Sequence, residues 1–230
     1  IMTTKAIVMG GGQSLYDENV IDYLVEHYIK DEDNKKIKDV TILSTDRTLK
    51  YVLEKGIVPD YTAIQENLFP ATRFTRIDYM EEFFNHDIVK ANAKEITLYY
   101  AQALRWFRAR LLKAMGFTMK PFNRHGLGGS LKPLIYTCGH CSQALVEIAR
   151  YVLNIDKVAT IGMDMDCSRS WKIYEHDVHN AQKTMLQSTL KRTHTSFIQT
   201  GKPVYNLTRK GLFHYTGVVE TNIEDFLNDE

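Results

Sequence analysis

Apolar residues along this chain fall into two textures, short unbroken runs and longer stretches where they recur every three or four positions. Lys5-Ala6-Ile7-Val8-Met9 is such a run, stopped by Gly10-Gly11-Gly12. An unbroken run bounded by turn residues is the pattern of a strand buried on both faces. Ser14 then stands at a helix start with Asp17 at the capping-box position. Val20, Ile21, Leu24, Val25 and Tyr28 give that helix one apolar face. The polar run from Lys30 to Lys38 reads as a solvated turn. Val40–Leu43 is a second strand, and Thr45 or Asp46 caps a short helix carrying Leu49, Val52 and Leu53, ended by Gly56.

The alternation continues, with strands expected at 59–64, 96–100 and 134–137. Ser142 caps a helix with the pairs Ala144/Leu145, Ile148/Ala149 and Val152/Leu153. A strand at 157–161, a long helix over about 177–199 and a strand at 204–207 follow. Such alternation predicts an α/β chain, a Rossmann-like three-layer fold with a mainly parallel sheet whose first strand is central. Ligands of such sheets bind beyond the carboxyl ends of the strands. Gly10–Ser14, Ser44–Arg47, Thr137–Ser142 and Gly162–Asp164 all follow strands, so the fold gathers them at one rim.

The composition fits one domain over 1–230, large enough to bury a real core, with 44% of its residues hydrophobic. Lys and Arg number 29 against 28 Asp and Glu, so net charge points to neither nucleic acid nor membrane. No apolar run reaches the length of a membrane span, and no secretory signal is seen. Cys138, Cys141 and Cys167 do not make a disulfide framework, so a reducing cytoplasm is expected.

Charge is not evenly spread. From Ile96 to Val146 there is no Asp or Glu, while Arg105, Arg108, Arg110, Lys113, Lys120, Arg124 and Lys132 lie within it. Gly126–Lys132 is a glycine loop ending in lysine. The segment 105–132 reads as a basic helix and loop inserted as a lid, suited to a polyphosphate or nucleotide. A solvated basic helix facing an acidic partner is the plainer alternative.

The candidate chemistry sits on the strand ends. Gly10, Gly11 and Gly12 allow close backbone approach to a ligand, and the helix start at Ser14 attracts anions. The same triplet also serves as a tight strand-to-helix turn. Asp46 can meet a ribose or a metal, or simply cap its helix. Asp164 and Asp166, two apart in an extended segment, point the same way and suit Mg²⁺. Cys138-Gly139-His140-Cys141 has the form of a dithiol redox motif. It stands late in the chain, with no proline between Pro133 and Pro203 to supply the facing loop. It therefore reads as a tight substrate-binding turn.

Several blocks resemble one family. GGGQSL resembles the GxGPSL opening of the MptE-like family, the archaeal-type 6-hydroxymethylpterin diphosphokinases. Its wider relatives are the motility-associated glycosyltransferase-like proteins. STDRTLKYVLEKGIVPDYTAI is similar to that family's AADRALKPLLEAGIVPDYVV block. TCGHCSQALVEIARYVLNIDKVATIGMDM and VYNLTRKGL resemble later blocks. Gln13 stands where the family has Pro, and the acidic residue expected soon after Tyr61 is displaced to Glu66. A related opening occurs in sialyltransferases that use a cytidine-activated sugar.

The resemblance implies a nucleotide-binding transferase acting on a small-molecule acceptor, with room for a homo-oligomer. In the first reading, ATP gives a pyrophosphoryl group to a small acceptor. Asp46, Asp164 and Asp166 hold Mg²⁺, and the Gly10–Ser14 turn, Thr45, Gly139 and Ser142 meet the nucleotide. Arg105, Lys132 and His140 neutralise charge. The alternative is a transferase using a CMP- or UDP-sugar, with His140 or His125 as base. A homologue that binds nucleotide without catalysis is the third reading.

Overall fold

The computed structural model describes residues 4–17, 19–31, 33, 35–65, 80, 83–102, 104, 106–124, 133–135, 141–164, 203–208 and 217–229. In chain order its strands are β1 (Lys5–Met9), β2 (Ile29–Asp31), β3 (Lys36–Ile37), β4 (Thr41–Thr45), β5 (Tyr61–Ile64) and β6 (Thr97–Ala101). They continue with β7 (Thr118–Arg124), β8 (Leu134–Ile135), β9 (Lys157–Ile161), β10 (Val204–Asn206) and β11 (Val218–Glu220). Nine of them form one sheet in the order β11-β10-β9-β1-β4-β5-β6-β7-β8. Each neighbouring pair runs parallel. The expected Rossmann-like, mainly parallel sheet is met, with β1 inside it and bonded on both edges.

The helices are α1 (Ser14–Asp17), α2 (Val20–Tyr28), α3 (Asp46–Glu54), α4 (Asp87–Asn92), α5 (Trp106–Ala114), α6 (Cys141–Glu147) and α7 (Ile223–Asn228). Strand alternation sorts the core into layers. Ile7, Met9 and Ile42 face α2 and α7, packing against Leu24 and Phe226. Leu98 and Ile64 lie in a cluster with Leu49, Val89 and Leu112 of α3, α4 and α5. Ala6, Val8, Leu43 and Ala63 take the opposite face, under Leu145 and Ala149 of α6 and its continuation. Burying each such Leu or Ile stabilises by about 1.5–3 kcal/mol. After α6 the chain runs through a π-helical turn over Ile148–Val152, with Leu153 N–H donating to the Ile148 carbonyl at 3.0 Å.

From β1 the chain steps outward in one direction through β4, β5, β6, β7 and β8. It then returns along α6, which packs on β5, β4 and β1, and lays β9 on the other side of β1. The order of the sheet therefore reverses between β1 and β9. This is the topological switch point at which open α/β sheets bind ligands.

Four details depart from the sequence reading. Residues 30–38 were expected to be a solvated turn. Instead β2 and β3 pair as an antiparallel hairpin, held because Ile37 is buried against the α2 cluster. The segment 105–132, read as an inserted lid, supplies α5 and the whole of β7 to the body of the fold, while 125–132 lie outside the described residues. Pro121 is tolerated in β7 because Thr118 N–H points toward β6 and Asn123 N–H toward the β8 side. By alternation the nitrogen of Pro121 falls on the β8 side, where pairing begins only at Asn123. The helix after the glycine turn is broken into α1 and α2 near Asn19. The strand β11 and the helix α7 were not foreseen. Asn222 caps α7, its side-chain oxygen accepting from Asp225 N–H at 2.8 Å. The long helix expected over 177–199 lies outside the described residues.

Candidate functional site

The turns after β1 and β9 grip each other. Gly10 N–H donates to the Ile161 carbonyl and Gly12 N–H to the Gly162 carbonyl, both at 2.7 Å. Ser14 N–H donates to Asp164 Oδ2 at 2.7 Å, and the Ser14 hydroxyl makes a short bond to Asp164 Oδ1. Gly162 N–H donates to Ser14 Oγ at 3.0 Å. Ser14 is fully buried and Asp164 is 2% exposed. A carboxylate accepting both a backbone and a hydroxyl hydrogen out of water is a strong, directional tie.

Steric fit explains the glycines. A β-carbon on Gly10 would lie 2.5 Å from the Gly162 carbonyl oxygen and 2.8 Å from Ser142 Oγ. One on Gly12 would lie 2.7 Å from the Gly162 oxygen and 2.8 Å from Asp164 Oδ2. Gly162 has φ +73°, and its β-carbon would overlap the Gly10 carbonyl oxygen. Gly10 and Gly12 thus admit the neighbouring chain. Gly11, half-buried, is the glycine of the triplet whose approach to a ligand remains to be used.

The amides alternate accordingly. Those of residues 10, 12 and 14 turn inward onto the β9 turn. The N–H groups of Gly11 and Gln13 donate to no protein acceptor among the described residues. Two further helix starts adjoin this turn. Thr48, in the first turn of α3, bonds through its hydroxyl to the Met9 carbonyl at 3.2 Å, at the last residue of β1. Ser142 of α6 lies against Gly10, and Cys141 Sγ donates to the Ala63 carbonyl at 2.8 Å near the end of β5. The helix macrodipoles of α3 and α6 therefore begin at the same edge as the glycine turn.

Of the residues singled out from sequence, the structure gathers Gly10, Gly11, Gly12, Ser14, Ser142 and Asp164 around one clasp. Thr45 and Asp46 stand beside it. Thr45 precedes α3, its hydroxyl 3.0 Å from that of Thr48. Asp46 is buried at the first position of α3 and its Oδ1 accepts from Arg47 N–H at 2.9 Å. Among the described residues no three His, Cys, Asp or Glu are grouped to hold a metal. Each Asp164 oxygen accepts one hydrogen from Ser14. Arg105, Lys132, Gly139, His125, His140 and Asp166 lie outside the described residues. Sequence reasoning passed over Thr48 and the conformational demand at Gly162. The second had a local signal, a glycine directly after a buried strand and two residues before a buried acid.

The chain shares its fold with a glycosyltransferase. The solved structure of the MAf glycosyltransferase from Magnetospirillum magneticum AMB-1 superposes with a TM-score of 0.61 at 15% identity. The match covers 97% of this chain and 34% of that one, so this chain spans about a third of that protein's length. No family model matches the chain, and no curated protein does. The likeness is one of fold alone, and the comparisons give the pterin diphosphokinase assignment, with its ATP and Mg²⁺, no support. No helix among the described residues is long and apolar enough to cross a membrane.

Proposed function

We propose that this chain is a sugar-nucleotide-binding domain of a glycosyltransferase, holding the donor at the switch point between β1 and β9. One observation carries the reading. The clasp turns alternate amides inward and leaves the Gly11 N–H at the rim, where α3 and α6 also begin. The glycosyltransferase fold of the structural neighbour supports it. The donor phosphate would take the Gly11 amide, with Gln13 N–H beside it, and Ser142 and Gly139 would border it. Asp46 and Thr45, at the start of α3, would meet the ribose hydroxyls. In the transfer, an acceptor hydroxyl oxygen attacks the anomeric carbon and the bond from that carbon to the phosphate oxygen breaks. The nucleotide leaves with the bonding electrons. The hydroxyl proton passes to a base, for which His140 and His125 are the candidates by sequence. Oriented amides and helix starts stabilise charge that develops on the leaving phosphate. Arg105 and Lys132 would add to that field.

Calorimetric titration with CMP, UDP, their sugar conjugates and ATP, with and without Mg²⁺, tests the reading. A cytidine or uridine nucleotide should bind, and Gly11→Val should weaken it at least about tenfold by blocking backbone approach, with the far-ultraviolet spectrum unchanged. Unchanged binding in Gly11→Val, or binding of ATP with Mg²⁺ alone, overturns it.

A further inference from the structure

The helix α5 is turned the wrong way for a helix that only packs on a sheet. Its inner face holds Leu112 but also Arg108, which is 5% exposed, while Trp106 is 69%, Phe107 40% and Leu111 51% exposed. Two stripes account for this. Phe107, Leu111 and Ala114, at i, i+4 and i+7, make one apolar line on the outside. Trp106, Arg110 and Lys113, with the same spacing, make an aromatic and basic line next to it. Arg110 lies over the Trp106 ring at 4.8 Å, so the cation rides on the indole.

We propose that this outer face of α5 is a docking surface for an anionic lipid bilayer. Trp, Phe and Leu beside Arg and Lys on one face is the composition of helices that lie in the membrane interface. The stretch from Ile96 to Val146 contains no acidic residue, so neither α5 nor the segments on either side of it in the chain bring a carboxylate of their own to compete with lipid phosphate. An overall charge near zero hid this, because the balancing acids lie elsewhere in the chain. The size of the surface favours lipid over protein. One face of a nine-residue helix offers far less than the roughly 800 Å² that each partner contributes to a stable protein interface. A few apolar side chains with neighbouring cations suffice for reversible adsorption to charged lipid. The inference is independent of the sugar-nucleotide reading and uses none of its residues.

The test is co-sedimentation of the full chain with vesicles of phosphatidylcholine alone or with about a third phosphatidylglycerol. Retention should be at least about tenfold greater on the anionic vesicles and should fall at about 0.5 M salt. In a Trp171→Phe background, Trp106 is the one remaining tryptophan, and its emission should shift to the blue on binding. Trp106→Ala with Leu111→Ala, and separately Arg110→Glu with Lys113→Glu, should each abolish retention while leaving the circular dichroism unchanged. All four side chains are exposed, so these variants should fold. Equal retention on neutral vesicles, no retention, or retention unaffected by either double variant overturns the proposal. So does sedimentation velocity showing that the face joins two copies of the chain, or an acidic protein partner, without any vesicle binding.

Discussion

Replacing Gly162 by alanine tests the clasp directly, and Gly56 provides its control. Both glycines have positive φ, +73° and +91°, so alanine at either is strained by its backbone alone. That costs about 1 kcal/mol. Around Gly56 there is room, the nearest atom to a new β-carbon being Lys35 Cδ at 3.9 Å. At Gly162 the new carbon overlaps the Gly10 carbonyl oxygen, which is backbone, and comes within 3.1 Å of Leu15 Cβ. Neither neighbour can swing aside as a long side chain would. The β1 and β9 turns must part, which adds about 1–3 kcal/mol of overpacking. Gly162→Ala should therefore lose about 2–4 kcal/mol and Gly56→Ala about 1.

Urea unfolding followed by circular dichroism measures the difference. With a slope of about 2–3 kcal/mol/M, the midpoint should fall by about 1 M for Gly162→Ala and about 0.4 M for Gly56→Ala, the slopes unchanged. Parting the turns also displaces the Gly12 and Ser14 bonds, so Gly162→Ala should lose nucleotide affinity and Gly56→Ala should keep it. Equal midpoint shifts in the two variants would show that backbone conformation alone, and not the close approach of the two turns, makes residue 162 a glycine.

Asp164→Ala should cost about 2–5 kcal/mol, because it strands the buried Ser14 N–H and hydroxyl, while Asp164→Asn should cost less, since its amide oxygen still accepts one of them; thermal melts of both rank them. Asn222→Ala should lower stability by about 1 kcal/mol, read as a midpoint shift in urea, through loss of the α7 cap. Burial pushes the phenols of Tyr16, Tyr61 and Tyr99 above their ordinary value of 10.0. The folded state thus holds protons that the unfolded chain releases. Their contribution is whole below pH 10 and lost as the pH rises above it, so the urea midpoint should fall with pH in that range, and part of the phenolate absorbance should appear only on unfolding.

What could be read from sequence followed burial. β1, β4 and β9 are covered on both faces, so their buried positions carry apolar or small hydroxyl side chains, and each was found. β7 reads TMKPFNR, where lysine and proline interrupt the pattern, because Lys120 points to solvent and Pro121 uses the unpaired side of the strand. The hairpin of β2 and β3 was hidden in a charged run held by one buried residue, Ile37. At the site, residue types were legible and roles were not. Ser14 looked like a cap for its own helix, but its partner is Asp164, 150 positions away. Local rules register the residues that a turn contains and cannot register the turn that lies against it.

That pairing of turns also bears on which ligand fits. A loop that wraps a triphosphate presents successive amides to one concavity, as in the nests that bind phosphate in nucleotide triphosphatases. Here the amides of residues 10, 12 and 14 are spent on the β9 turn, and only those of 11 and 13 are left. Gln13 has an N–H to offer, so this chain's turn keeps two outward donors, at residues 11 and 13. Two alternate amides can cap one phosphate but do not form the continuous run of donors that lines a triphosphate. The charge of a triphosphate would have to be met elsewhere, and a nucleotide linked to a sugar places less of that demand on the turn. The geometry that makes Gly10 and Gly12 necessary for the close approach of the two turns thus also sets how many amides the turn can offer a phosphate.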